Sequence, residues 1–182
     1  MNTTKVVLSF VLCLFFLGCS SSAKMENMIY LGEAKTYDES LYNAVEVESV
    51  LGGQETNPMW TSQIGNNAFA GAVKQSLADQ GLLAEDGKYT LEVILHMVDQ
   101  PLFGLNMTVT TMVQYVLTDT TDGSVVMDDK IVAEHTATVG DAFVGATRLR
   151  LANEGSGRRN IEGLLDKLSA LKIKPQEISL LP

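Results

Sequence analysis

The sequence predicts an α+β fold, a two-layer sandwich in which one twisted, largely antiparallel sheet carries two helices on a single face. Three observations lead there. Apolar and polar residues alternate near residues 44–50, 89–97, 107–118 and 125–138, as strands with one buried face require. Near residues 62–80 and 141–171 the apolar residues instead recur every three to four positions, the period of a helix. The resulting order is strand, helix, three-strand meander, helix, and packing both helices on one sheet face is the simplest two-layer solution.

In the first strand Val45 and Val47 fall on one side and Glu46 and Glu48 on the other, and Gly52-Gly53 ends it. A polar loop then passes through Pro58 and Trp60. Phe69, Ala72, Val73, Ser76 and Leu77 share one face of the first helix, and Gly81 supplies its stop. Tyr89, Leu91, Val93, Leu95 and Met97 alternate with Thr90, Glu92 and His96, which places Met97 on the buried side. Val109, Thr111, Val113, Tyr115 and Leu117 share a face of the next strand. Thr121-Asp122-Gly123-Ser124 is a hairpin-turn signal into the last strand. The closing helix aligns Ala146, Leu149, Leu164, Leu168 and Leu171, with Asn153, Ser156 and Asn160 interrupting the stripe. Gly155 and Gly157, each costing about 1 kcal/mol relative to alanine, predict a kink there. Pro175 keeps the helix from continuing.

Ahead of these elements Lys5 precedes an apolar run over residues 6–17, followed by Gly18-Cys19 and three serines. The run matches the apolar core of a signal peptide and falls short of the roughly 17–25 residues a membrane-spanning helix needs. Phe16-Leu17-Gly18-Cys19 resembles the lipobox of bacterial lipoproteins, with Phe16 where leucine is commonest. The resemblance implies cleavage between Gly18 and Cys19, with a diacylglyceryl thioether and an N-acyl chain on Cys19. The thiolate is the strongest nucleophile among side chains. Each buried methylene contributes about 0.8 kcal/mol, so two or three acyl chains hold stably where one would not. The chain then divides into a signal (1–18), a lipidated N-terminus and tether (19–40), a single periplasmic domain (41–174) and a tail (175–182). Fully extended, the tether would reach roughly 70 Å at about 3.3–3.6 Å per residue.

The chain carries 13 basic and 22 acidic residues in 182, a net charge of −9. Loss of residues 1–18 removes Lys5 and leaves 164 residues at −10, with 12 basic against 22 acidic. Such a surface does not suit nucleic acid, whose phosphates need a basic face. It does not suit broad contact with anionic headgroups either, so membrane contact is expected through the lipid. Cys13 leaves with the signal and Cys19 is acylated, so neither a free thiol nor a disulfide is expected in the domain.

No catalytic or metal site and no cofactor beyond the lipid is expected. GxSxG, P-loop and HExxH patterns are absent from the sequence. His96 and His135 read as strand residues on the polar face of the sheet, and Asp119, Asp122, Asp128 and Asp129 as solvated carboxylates flanking the hairpin turn. Arg150, Glu154, Arg158 and Glu162 are spaced four apart, a surface ladder worth about 0.2–0.5 kcal/mol per pair. Arg148 and Arg159, eleven residues apart and nearly in line, stand outside the ladder as candidates for a phosphate or an acidic partner. The sharper candidate surface is Pro101-Leu102-Phe103-Gly104-Leu105. Large apolar residues in a connection either fold back over the core or meet a partner or a membrane. Met59-Trp60 poses the same question.

Residues 89–100, the strand with Tyr115, and Arg148, Ala152, Glu154 and Asn160-Ile161 together resemble small Gram-negative envelope lipoproteins. These include the YajG type, the ABC-transporter auxiliary lipoproteins and the lipopolysaccharide-assembly lipoproteins. With Ser20 rather than aspartate after the cysteine, the resemblance implies the outer membrane, facing the periplasm, over the inner membrane. It also implies a non-catalytic interaction or assembly module with an envelope protein as partner. The alternatives are an auxiliary lipoprotein that holds a lipid or other amphiphile between sheet and helices and, more remotely, an acyltransferase-type enzyme. Envelope-sugar acyltransferases of the UDP-N-acetylglucosamine type are built on hexapeptide repeats, and the sequence has no such period.

Overall fold

The computed structural model describes residues 21–57 and 61–173. A short helix α1 (Met25–Met28) and a 3-10 turn (Glu39–Leu41) precede strand β1 (Val45–Leu51). Helix α2 (Asn66–Asp79), strands β2 (Tyr89–Asp99), β3 (Met107–Asp119) and β4 (Val125–Ala137), and helix α3 (Gly145–Ala170) follow. The strands form one sheet in the order β1-β2-β3-β4. β1 lies parallel to β2 through the α2 crossover, and β2, β3 and β4 are successively antiparallel. This is the α+β two-layer sandwich the sequence predicts.

The alternation that defines the strands also decides which face is buried. Val45, Val47, Leu91, Val93, Val113, Tyr115 and Leu117 point into the core, where Phe69, Ala72, Val73 and Leu77 of α2 and Ile161, Leu164 and Leu168 of α3 meet them. Gly81 takes φ +72° just past α2, so the left-handed stop expected of it is present. Met97 departs from the expected pattern. The β2–β3 register shifts between Leu95 and Met97, which turns Met97 outward while Val98 packs against the core. An irregularity of this kind swaps the two faces of every residue beyond it.

The stripe of α3 is interrupted by polar residues because these enter a buried hydrogen-bond network. Tyr115 Oη donates to Asn160 Oδ1 at 2.9 Å. Asn160 Nδ2 donates to Thr111 Oγ1 at 3.1 Å and to the Ile131 carbonyl at 3.0 Å. Thr111 and Ser156 share a hydroxyl contact at 2.9 Å, and the Ser156 hydroxyl donates to the Ala133 carbonyl at 3.0 Å. Burial pushes the Tyr115 hydroxyl well above its ordinary titration range, so it stays a donor. α3 runs without interruption from Gly145 to Ala170, and Gly155 and Gly157 within it allow close approach of neighbouring side chains. A Cβ on Gly157 would stand 2.9 Å from Met28 Sδ, and one on Gly155 would overlap the His135 ring.

The second correction concerns residues 20–40. From Ala23 onward this segment is docked on the domain and is no tether. Ala23, Met28, Tyr37 and Leu41 are buried in the core, and α1 packs against both long helices. Polar contacts fasten it along its length. The Ala23 amide donates to the Gln63 carbonyl at 3.0 Å, the Lys24 amide to Glu154 Oε1 at 3.0 Å, and Asn27 Nδ2 to Glu154 Oε2 at 2.9 Å. The Tyr30 amide donates to Ser76 Oγ at 3.0 Å, and the Lys35 amide and Tyr37 hydroxyl both donate to Gln80 Oε1.

Candidate functional site

The strand directions set two loops side by side at one end of the sheet. β2 ends where β3 begins, with Asp99 opposite Thr110, and β4 ends opposite the first residue of β3, with Ala137 paired to Met107. Residues 100–106 and 138–144 therefore project from the same edge. Leu102, Phe103 and Leu105 are 84%, 86% and 78% exposed, so the first loop does not fold back over the core. Phe143, on the second loop, is 86% exposed, and Val139 and Val144 beside it are also exposed.

Arg148 joins the two loops. From the first turn of α3 its Nη1 donates to the Ala142 and Phe143 carbonyls at 2.8 and 2.7 Å, and its Nη2 donates to the Gly104 carbonyl at 3.0 Å. The side chain is buried and both its terminal nitrogens bond backbone carbonyls, with only Nε unpartnered, so Arg148 acts as a clamp between the loops. It and Pro101, Leu102, Phe103 and Leu105 form one unit. Arg159 lies apart, donating to the Glu134 carbonyl at 2.6 Å. Sequence reasoning missed Phe143 and Val144 because it started the last helix at Asp141. Asp141 instead closes a turn, accepting from the Thr138 amide and hydroxyl at 2.7 and 2.8 Å, and these bonds hold its carboxyl below the usual range.

The N-terminal segment enters at this same end. The Gln63 carbonyl that receives the Ala23 amide belongs to a residue whose side chain accepts from Gln100 Nε2 at 2.7 Å, and Gln100 immediately precedes Pro101. Cys19 and Gly18 lie outside the described residues, as do Met59-Trp60 and the tail from residue 174.

The remaining candidates have local tasks. His96 is exposed on the outer sheet face in a row across three strands: it bonds Gln114 Oε1 at 2.7 Å, and Gln114 Nε2 donates to Asp128 Oδ1 at 2.6 Å. His135 is not on that face. It points toward α3 against Gly155, and burial, followed by the positive charges of Arg159 and Arg158, lowers its pKa below the ordinary histidine value. The four-spaced ladder is not a surface ladder. Glu154 is buried, 3.8 Å from Arg150 Nε, and both its oxygens receive donors from the docked N-terminal segment. Asp119 accepts from the Thr121 amide at 2.9 Å and faces Lys88 Nζ at 3.3 Å, which lowers its pKa and completes the turn. Among the described residues no group of three or more His, Cys, Asp or Glu side chains could hold a metal ion.

Among the described residues the helix–sheet interface is filled by side chains at the positions that would line an amphiphile tunnel. Phe69, Leu77, Leu91, Tyr115, Ile161 and Leu164, which would line a tunnel, are fully buried against one another, with no solvent-sized space beside them. An open hollow of about 320 Å³ lies between His135, Arg158, Arg159 and Tyr30. No described helix is long and apolar enough to cross a membrane.

No protein-family model matches the sequence, and no curated protein matches it. Solved structures do resemble the fold. A Xanthomonas campestris protein of the DUF330 family superposes with a TM-score of 0.57 at 12% identity, covering 77% of this chain and 91% of its own. A candidate lipoprotein of Caulobacter crescentus gives 0.50 at 14% identity over 72% and 90%. The Chlamydia trachomatis protein CT253 gives 0.52 at 8% identity over 71% and 97%. At these identities the likeness is one of fold.

Proposed function

We propose that this chain is a lipid-anchored lipoprotein of the cell envelope whose domain is a non-catalytic interaction module. In this reading Cys19 carries the diacylglyceryl and N-acyl groups, Ser20 directs the protein to the outer membrane, the domain faces the periplasm, and its partner is an envelope protein. The observation that carries it is the docking of Ala23, because only residues 19–22 then separate the acylated cysteine from the folded domain. Four residues span at most about 14 Å. The domain is thereby held at the membrane surface with its exposed apolar loops at the anchored end. The lipobox-like segment and the description of a neighbour from Caulobacter crescentus as a candidate lipoprotein support the same assignment. Support for the non-catalytic part comes from His96, Asp119, Asp141 and Arg148, which are engaged in turns, a clamp and a cross-strand row.

The test is metabolic labelling with an alkyne fatty acid, with in-cell crosslinking and mass spectrometry of the same cells. Label is expected on the native chain and absent from Cys19→Ser, and an envelope protein is expected among the crosslinks. Label retained in Cys19→Ser overturns the anchor, and crosslinked cells that yield no envelope protein overturn the interaction module.

A further inference from the structure

We propose that the loop end of the sheet is a bilayer-seating surface, with Leu102, Phe103, Leu105 and Phe143 inserted at the boundary between headgroups and acyl chains. The proposal deepens the lipid-anchor reading above and rests on it. Three independent features meet at this end. The first is apolar exposure on two separate loops, with Phe103 and Phe143 each 86% exposed, where a connection is ordinarily polar. The second is rigidity. One buried guanidinium bonds both loops, so the apolar side chains are held outward and cannot collapse onto the core. The third is the place where the undescribed chain begins. Ala23 is fixed beside Gln63 and Gln100, at the base of the first loop, so an acyl group on Cys19 enters the membrane within about 14 Å of that point.

The charge distribution favours a bilayer as the occupant. Residues 100–108 contain no charged side chain, and residues 138–147 contain one, Asp141, which is bonded to Thr138. The opposite end of the sheet carries Glu85, Asp86, Asp119, Asp122, Asp128 and Asp129 against Lys88 and Lys130. β3 runs for 13 residues between the two ends, roughly 43 Å at about 3.3 Å per residue. Repulsion from anionic headgroups decays over about 8 Å at physiological salt, so the acidic end stands clear of it. The two apolar loops are thus the least charged surface of an acidic chain, with Glu55, Asp99 and Asp141 set behind them. Side chains of this kind settle about 5–10 Å into the headgroup region when apolar surface is available there.

The experiment uses the full lipidated chain in vesicles of phosphatidylethanolamine and phosphatidylglycerol, mixed three to one. With Cys13 removed by processing and Cys19 acylated, Phe103→Cys, Phe143→Cys or Ser124→Cys each offers one thiol for an environment-sensitive fluorophore. All three positions are exposed, so the fold tolerates the label. At positions 103 and 143 emission is expected to rise at least twofold on reconstitution and to be quenched by lipids brominated near the headgroup. At position 124, on the hairpin turn of the far end, neither change is expected. Vesicle-bound protein whose labels at 103 and 143 behave like the label at 124 overturns the seating while leaving the anchor in place. Protein that fails to float with the vesicles overturns the anchor, and the seating falls with it. A photocrosslinker at position 103 that captures a protein in cells and no lipid assigns the surface to a protein instead.

Discussion

Asn160 is the hub of the buried network, and its removal is the most informative stability measurement. Its side chain accepts from Tyr115 Oη at 2.9 Å and donates to Thr111 Oγ1 at 3.1 Å and to the Ile131 carbonyl at 3.0 Å. Asn160 and Tyr115 are both fully buried, so water cannot replace the lost partner without entering the core. Three net hydrogen bonds at about 1 kcal/mol each, with the Tyr115 hydroxyl left unpaired, give a loss of about 3 kcal/mol for Asn160→Ala. Tyr115→Phe removes a single bond and leaves one acceptor, for a loss of about 1–2 kcal/mol. In the double variant the hydroxyl that Asn160→Ala orphans no longer exists, so the combined loss falls short of the sum by about 1 kcal/mol. Urea denaturation of the four chains, fitted with a common slope, measures this coupling. Strictly additive losses, or an Asn160→Ala loss below about 0.5 kcal/mol, would show that the network contributes nothing beyond packing.

Arg148→Ala strips three backbone carbonyls of their donor. We expect a loss of about 2–3 kcal/mol and faster amide exchange confined to residues 102–105 and 142–145. Arg148→Lys should recover only part of it, since an ammonium lacks the planar fork that spans both loops; full recovery would refute the clamp. Glu154→Ala releases the Lys24 amide and the Asn27 side chain. Limited trypsin digestion should then cut at Lys24 while the strands stay protected, and an unchanged cleavage rate would refute the clasp. His135 has a folded pKa lowered by burial and by Arg159 and Arg158, against Asp141, which raises it. The unfolded chain therefore binds this proton more readily, so stability falls as pH drops below about 6.5 and levels off beneath the folded value. His135→Gln should flatten the melting temperature between pH 7 and 5 relative to the native chain, and parallel curves would refute the assignment.

The strands and α2 were legible because each buries one face against a continuous core, a requirement written directly into residue spacing. Phe69, Ala72, Val73, Ser76 and Leu77 form the buried face of α2, as their period demands. Met97 was not legible, because a register shift leaves no mark on composition and reverses the faces that alternation assigns. The polar gaps in α3 were visible as gaps. Their partners Thr111, Ile131 and Ala133 are brought near only by the meander, so the network could not be read from α3 alone. At the loop end the sequence offered Leu102, Phe103 and Leu105 openly, since three large apolar residues in a turn are conspicuous. Phe143 stayed hidden in what resembled the start of a helix. Arg148 looked like a free cation because its acceptors are backbone carbonyls, which no side-chain pattern records.

The docked segment changes what the domain can reach. As an extended tether, residues 19–40 would let a domain roam roughly 70 Å from the bilayer at about 3.3–3.6 Å per residue. With the proposed lipid on Cys19, docking from Ala23 leaves only residues 19–22, about 14 Å, and would bring a partner to the membrane surface. What decides between the two regimes is how firmly α1 is held. Its apolar anchor is Met28, seated where Gly157 leaves space, and its polar anchor is Glu154, which is buried and bonded to both Lys24 and Asn27. Replacing Gly157 by a larger residue and removing the Glu154 carboxylate attack those anchors separately. If docking sets the reach, weakening both should lengthen the distance from the membrane at which the domain can be crosslinked, while weakening either alone lengthens it less.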